Sequence, residues 1–208
     1  MTDIYLFRHA HVDYGPGVPI TGDNPLTPLG REMAARLADS CSDLALEHLW
    51  YSPMLRTRQT AQAILDRQPN LKRKQVSELE EASIRDMEGY AGEMPTDDIG
   101  TWTDAQFAYA NRMMWDRVRA GWDTVVRQCL RREYKSVGVV SHGGPINIIL
   151  RHILGQDTVR LRTCWFYLTW ASTSCVRLST GKDNWGHAIR FVNDHRYVED
   201  IDPEPYEM

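Results

Sequence analysis

The chain has 208 residues, 42% of them hydrophobic and 25% charged, which fits one globular domain with a sizeable core. A formal net charge of −4 argues against a nucleic-acid or membrane-surface partner, and no apolar run approaches the length that spans a bilayer. The start, Met1-Thr2-Asp3 and then a strand pattern, has no signal-peptide character, and Cys41, Cys129, Cys164 and Cys175 lack paired spacing, so reduced thiols in a cytoplasmic protein are expected.

Asp3 to Phe7 reads as a buried strand that stops abruptly at Arg8-His9. His11 to Asn24 is a loop rich in Gly, Pro and Asp, the kind that carries function when it lies over a strand end. Thr27-Pro28 predicts a helix start, with Thr27 as N-cap and Pro28 in the first turn, and Leu29, Met33 and Leu37 form its apolar stripe. Leu46 to Tyr51 predicts a second strand. Ser52-Pro53 repeats the cap-then-proline pattern and predicts a helix through about Leu65, with Arg56 in its first turn.

Asn70 to Val76 predicts a basic connection plus a short strand, leading to Ser77-Glu78-Leu79-Glu80-Glu81. The helical, Trp- and Met-rich segment from Gly89 to about Arg132 is longer than a simple crossover needs and is expected to form a cap inserted in a single 1–208 domain. Val137 to Val140 predicts a fourth strand that ends in Ser141-His142-Gly143-Gly144. A helix lined by Ile146, Ile149, Leu150 and Ile153 should then stop at Gly155. Cys164–Leu168, Ser174–Leu178 and Ala188–Val192 alternate like strands at a sheet edge, with a turn at Thr180–Asn184 between the last two. The acidic tail from Glu199 is expected to be loosely held.

Strands that end in Arg8-His9 and in His142 place cationic side chains at the carboxyl edge of an α/β sheet, where ligands bind. A phosphate ester can be opened by a neutral imidazole, with arginine forks meeting the phosphoryl charge and a carboxylic acid protonating the leaving oxygen. His9 and His142, Arg8 and Arg56, and the Glu80/Glu81 pair are the residues of those types at strand ends or helix starts.

These motifs resemble the histidine phosphatase superfamily, the group that holds cofactor-dependent phosphoglycerate mutases and many small phosphatases. Arg8-His9-Ala10-His11 resembles its R-H-G-E/Q opening and Pro25-Leu26-Thr27-Pro28-Leu29-Gly30 its P-L-T-x-x-G element. Ser52-Pro53-Met54-Leu55-Arg56-Thr57-Arg58-Gln59-Thr60-Ala61 resembles its S-P-L-x-R-x-x-Q-T-A segment. Leu79-Glu80-Glu81, Val140-Ser141-His142-Gly143 and Asn193-Asp194 follow in the family's order. The resemblance implies a three-layer α/β/α sandwich with a mainly parallel sheet and helical cap. It further implies His9 as nucleophile, Glu81 as general acid and then base, and Arg8, Arg56 and His142 on the phosphoryl oxygens, with Thr21, Gly22 and Gly143 touching substrate. The implied activity is a metal-independent phosphomonoesterase without cofactor. Its partners are a small phosphorylated substrate and inorganic phosphate, with no nucleic acid and no membrane; a homodimer is compatible with the sequence.

Ala10, His11 and Arg85 depart from the family pattern. Arg85 is expected to favour a doubly anionic substrate or else to face solvent. Arg112, Arg117 and Arg119 fall where mutases of the family carry extra basic residues but match no motif, which favours a hydrolase over the alternative, a phosphoglycerate mutase. A catalytically silent phosphate-binding module is a further alternative. A zinc hydrolase built on His9-x-His11-x-Asp13 lacks later ligands to complete its site.

Overall fold

The computed structural model describes residues 1–15, 23–96, 101–156, 165–179 and 186–203. Strands β1 (Thr2–Arg8), β2 (His48–Tyr51), β3 (Lys72–Gln75), β4 (Ser136–Ser141), β5 (Thr173–Leu178) and β6 (Ala188–Asp194) form one sheet in the order β3-β2-β4-β1-β5-β6. The β1–β4, β2–β4 and β2–β3 pairs are parallel, and β5 runs antiparallel to both β1 and β6. Parallel neighbours must be joined by crossovers, and helices α1 (Pro28–Ser40), α2 (Leu55–Arg67), α3 (Asp104–Arg132) and α4 (Gly143–Ile153) cover the sheet.

Side-chain alternation along the strands separates the layers. Ile4 and Leu6 of β1, Trp50 of β2 and Val137 and Val139 of β4 pack with Trp115, Val118, Trp122 and Val125 of α3 and with Ile146, Ile149 and Leu150 of α4. Phe7, Leu49 and Val140 point the other way, onto Met33, Leu37 and Ile64 of α1 and α2. The result is the α/β/α sandwich with helices on both faces. Helix α3, expected within the cap, therefore supplies core side chains beneath the sheet. Met87, Trp102 and Ala110 form a separate small cluster near its start.

Helix α1 begins as its sequence dictates: Thr27 Oγ1 accepts from Gly30 N and Pro28 sits in the first turn. Gly30 has no room for a side chain, since a Cβ there would lie 2.0 Å from the His11 carbonyl oxygen. Helix α3 opens with a reciprocal Thr103/Gln106 capping box. The Ser52-Pro53 expectation is corrected. Helix α2 starts at Leu55 with Met54 as its cap residue, because Ser52 N still donates to Val140 O across the sheet and the Ser52 hydroxyl is committed to His142.

A second correction concerns Cys164–Leu168. Residues 165–168 are not a strand, and Cys164 lies outside the described residues. Asn147 of α4 takes the place of a ladder partner. Its Oδ1 accepts from Phe166 N at 2.7 Å and its Nδ2 donates to Phe166 O at 3.0 Å. The turn expected at Thr180–Asn184 also lies outside the described residues. Cys41, Cys129 and Cys175 are free and buried, and burial pushes the Cys41 and Cys129 thiols up to about 12, which leaves them unreactive.

His48 opens β2 at the sheet edge away from His9 and His142. It is buried against Trp50 and Tyr134, with ring centroids at 4.3 and 5.8 Å, and neither ring nitrogen has a hydrogen-bond partner. Burial, helped by Lys72 and Lys74, lowers its basicity from 6.5 to about 4. Between those values the unfolded chain binds a proton that the folded chain refuses, so stability falls as pH falls through the window. Buried His9 and His142 act in the same direction. In urea unfolding at pH 7 and pH 5, His48→Phe is expected to remove about 1 kcal/mol of the acid-side loss seen in the unaltered protein; an equal loss in both proteins would refute the assignment.

Candidate active site

The parallel pairing of β1 with β4 puts Arg8 opposite Ser141 and continues one residue further, where His9 N donates to Ser141 O at 2.9 Å. The two strand ends thus leave the sheet side by side. The rings of His9 and His142 meet edge to face with centroids 5.0 Å apart.

Backbone and side-chain partners set the proton positions. His9 Nδ1 lies 2.9 Å from Ala10 O, which can only accept, so Nδ1 carries the hydrogen and Nε2 keeps its lone pair. His142 has the opposite arrangement. Its Nδ1 accepts from Arg56 Nε at 3.2 Å, so Nε2 carries the hydrogen and donates to Ser52 Oγ at 2.8 Å. Burial, reinforced by the Arg56 and Arg8 charges, holds both imidazoles well below their ordinary pKa and therefore neutral.

A cavity of about 380 Å³ opens over this cluster, lined by Arg8, His9, Tyr14, Glu81, Ala82, Gly143, Gly144, Trp165, Tyr167 and Leu168. Of the residues singled out in the sequence, Arg8, His9, Glu81 and Gly143 face it. Arg56 and His142 are fully buried beneath and are engaged with each other, so they form the floor and not the wall. Thr21 and Gly22 lie outside the described residues. Glu80 is turned away and pairs with exposed Arg85 at 3.4 Å, which leaves Glu81 as the carboxylate of the cavity. Arg85 faces solvent.

Backbone N–H groups hold the Glu81 carboxylate. Oε1 accepts from Ala82 N and Oε2 from Gly144 N, both at 3.1 Å, the second at the amino end of α4, where an anion is favoured. A Cβ on Gly144 would sit 2.1 Å from Glu81 Oε1, so only glycine admits the carboxylate there. The segment that carries Glu81 is clamped from α3. Arg117 donates to the carbonyls of Glu78, Glu80 and Glu81 at 3.1, 3.0 and 3.4 Å, and pairs through Nε and Nη2 with buried Asp86.

Sequence reading missed Tyr14, Ala82, Gly144, Trp165, Tyr167 and Leu168 on the cavity wall, and Trp170 beside Arg8. The Arg8 guanidinium lies 3.8 Å over the Trp170 ring, and His9, His11 and Tyr14 pack around it at 5.2, 5.6 and 5.9 Å. Arg8 Nη1 also donates to Leu168 O. The turn that presents Trp170 is pinned by Ala171 N to His9 O and by Arg8 N to Ser172 O. Asn193 braces it, accepting from Thr169 N at 2.6 Å, while Asp194 of the same pair goes to Arg196. No local pattern marks Trp170; only the folded chain brings it to Arg8. His11 bonds Thr27 Oγ1 through Nδ1 at 2.8 Å and is not among the residues that line the cavity. Among the described residues no group of three or more His, Cys, Asp or Glu side chains could hold a metal ion.

Fold and site together define an α/β protein with its polar side chains gathered at the carboxyl edge of a sheet, around a space suited to an anion. The chain belongs to the histidine phosphatase superfamily (branch 1), whose family model matches residues 4–193. A relative named "Probable phosphoglycerate mutase GpmB" from Serratia proteamaculans is 26% identical over 181 residues, covering 79% of this chain and 82% of that protein. The solved structure of Bacillus stearothermophilus YhfR superposes with a TM-score of 0.72 at 19% identity, covering 94% of this chain and 99% of that one. A mycobacterial glucosyl-3-phosphoglycerate phosphatase superposes at 0.70 with 17% identity, over 93% and 99% of the two chains. No described helix is long and apolar enough to cross a membrane.

The Arg117 clamp has a measurable weight. Asp86→Ala leaves a guanidinium without its buried counter-ion, and a loss of about 2 kcal/mol in urea unfolding is expected, with faster amide hydrogen exchange at Ala82. Unchanged stability and unchanged exchange would show that the clamp is dispensable.

Proposed function

We propose that the chain is a metal-independent phosphomonoesterase that works through a phosphohistidine at His9. The observation that carries this reading is the His9 tautomer: the Ala10 carbonyl holds Nδ1–H and leaves Nε2 as a neutral nucleophile beside Arg8, in a cavity that Glu81 also faces. In the first step the Nε2 lone pair attacks phosphorus, the P–O bond to the alcohol breaks, and protonated Glu81 gives its proton to the leaving oxygen. In the second step Glu81 takes a proton from water as the water oxygen attacks phosphorus. The N–P bond then breaks, returning its electron pair to Nε2 and releasing inorganic phosphate.

Arg8 and the Gly143 N–H meet the phosphoryl oxygens from the cavity wall. A phosphoryl group that reaches His9 competes with His142 for the Arg56 Nε–H, so Arg56 and His142 are drawn onto the anion as it binds. Hydrolysis is favoured over mutase chemistry because Arg117 is spent on Asp86 and backbone carbonyls, and Arg8 is the one cation among the described lining residues. Cys41, Cys129 and Cys175, free and buried, suit the reducing cytoplasm.

Two variants test the assignment. His9→Ala should form no phosphoenzyme with labelled ester and turn over none. Glu81→Gln should lose about 10²- to 10⁴-fold in kcat/KM on alkyl phosphates, whose leaving oxygen needs a proton, and much less on p-nitrophenyl phosphate. Label retained in His9→Ala, or transfer of phosphate to a second phosphoglycerate hydroxyl in place of release, would overturn it.

A further inference from the structure

The cavity has a charged end and an aromatic end. At the inner end are Arg8, His9 and the amino end of α4. The outer wall is made by Trp165 and Tyr167, 48% and 47% exposed, with Tyr14 and Leu168 beside them. Large aromatic side chains half open to water, side by side on one cavity wall, are costly unless a ligand covers them. They also stand where the alcohol part of an ester must lie once its phosphoryl group is on His9. The charges on the wall sharpen the choice. Among the described lining residues Glu81 is the carboxylate and Arg8 the cation, and Arg8 is held against Trp170 and the Leu168 carbonyl at the phosphoryl end. A second anionic group on the substrate would meet the Glu81 side chain, and no further cation stands among the described lining residues to receive it.

We infer that the site takes monophosphate esters of uncharged alcohols that carry a flat face, an aromatic or heteroaromatic ring stacking on Trp165 and Tyr167. This rests on the phosphomonoesterase reading and deepens it. The ring is gripped by area and stacking, which every planar group offers, while the single phosphate supplies the charge that Arg8 and Arg56 require. Trp165 and Tyr167 are specificity residues in this scheme. They touch the leaving alcohol and take no part in bond breaking.

Benzyl phosphate, ethyl phosphate and phosphoglycolate separate the possibilities, because all three release a primary alkoxide and differ in face and charge. For the full chain, kcat/KM is expected to be at least about tenfold higher for benzyl than for ethyl phosphate, with phosphoglycolate poorest. In a Trp165→Ala/Tyr167→Ala double variant the benzyl-to-ethyl ratio should fall toward one, and Trp165→Phe should keep most of it. Circular dichroism and thermal unfolding check that the variants are folded. A ratio near one in the unaltered protein, a ratio that survives the double variant, or a preference for phosphoglycolate would overturn the inference while labelled phosphoenzyme still forms. Absence of phosphoenzyme with every ester would instead overturn the phosphatase reading on which it stands.

Discussion

The hydrogen bond from His9 N to Ser141 O is small in itself, but the site depends on the strand pairing that it ends. Parallel pairing of β1 with β4 in the register Arg8 opposite Ser141 brings residues far apart in the chain out of the sheet at one level. A one-residue slip would turn every side chain of β1 to the other face and send His9 into the packing of the wrong layer. The register is protected by burial on both faces: Ile4 and Leu6 against α3 and α4, Phe7 against α1 and α2. Core packing and site geometry are one constraint here, because the hydrophobic alternation that fixes the strand also aims the histidine.

That geometry concentrates positive charge. Arg8 and Arg56 are always charged, and two imidazoles are packed among them. Had the rings been protonated, four cations would share one buried space with Glu81 as the carboxylate of the cavity. Burial and the guanidiniums keep the rings neutral, and each ring has its tautomer fixed by a different partner: a carbonyl for His9, a guanidinium and a hydroxyl for His142. The cluster is thus set to receive an anion that supplies the missing negative charge, and the same burial that keeps the rings neutral also makes the folded chain sensitive to acid.

Much of this is legible in the sequence. The strand ends, the Thr27 cap and the neighbouring helices follow from local patterns, since periodicity and capping act within a few residues, whereas the preference for Glu81 over Glu80 rests on the family resemblance alone. What was not legible is non-local. Ser52 looked like a helix cap because the sequence cannot show that its amide still belongs to the sheet and its hydroxyl to His142. Residues 165–168 looked like a strand because they alternate, and the side chain of Asn147, not a neighbouring strand, takes their backbone groups. Trp170 and Arg117 had no motif to announce them, yet one stacks on Arg8 and the other carries the Glu81 segment.

The 165–168 segment divides the cavity between two kinds of structure. The end of the cavity at Arg8 and His9 is made by strand ends and by the first turn of α4, whose positions are fixed by ladders and core packing on both faces. The outer wall comes from 165–168, a stretch outside the sheet, tied through Asn147 and through Arg8 to Leu168 O. Those ties are to backbone atoms, so Trp165 and Tyr167 can be exchanged for other side chains without breaking a ladder bond or opening the core. The two ends of the cavity therefore rest on different kinds of support. Arg8, His9 and Glu81 are placed by the fold as a whole, and the outer wall is made by side chains that the fold does not need.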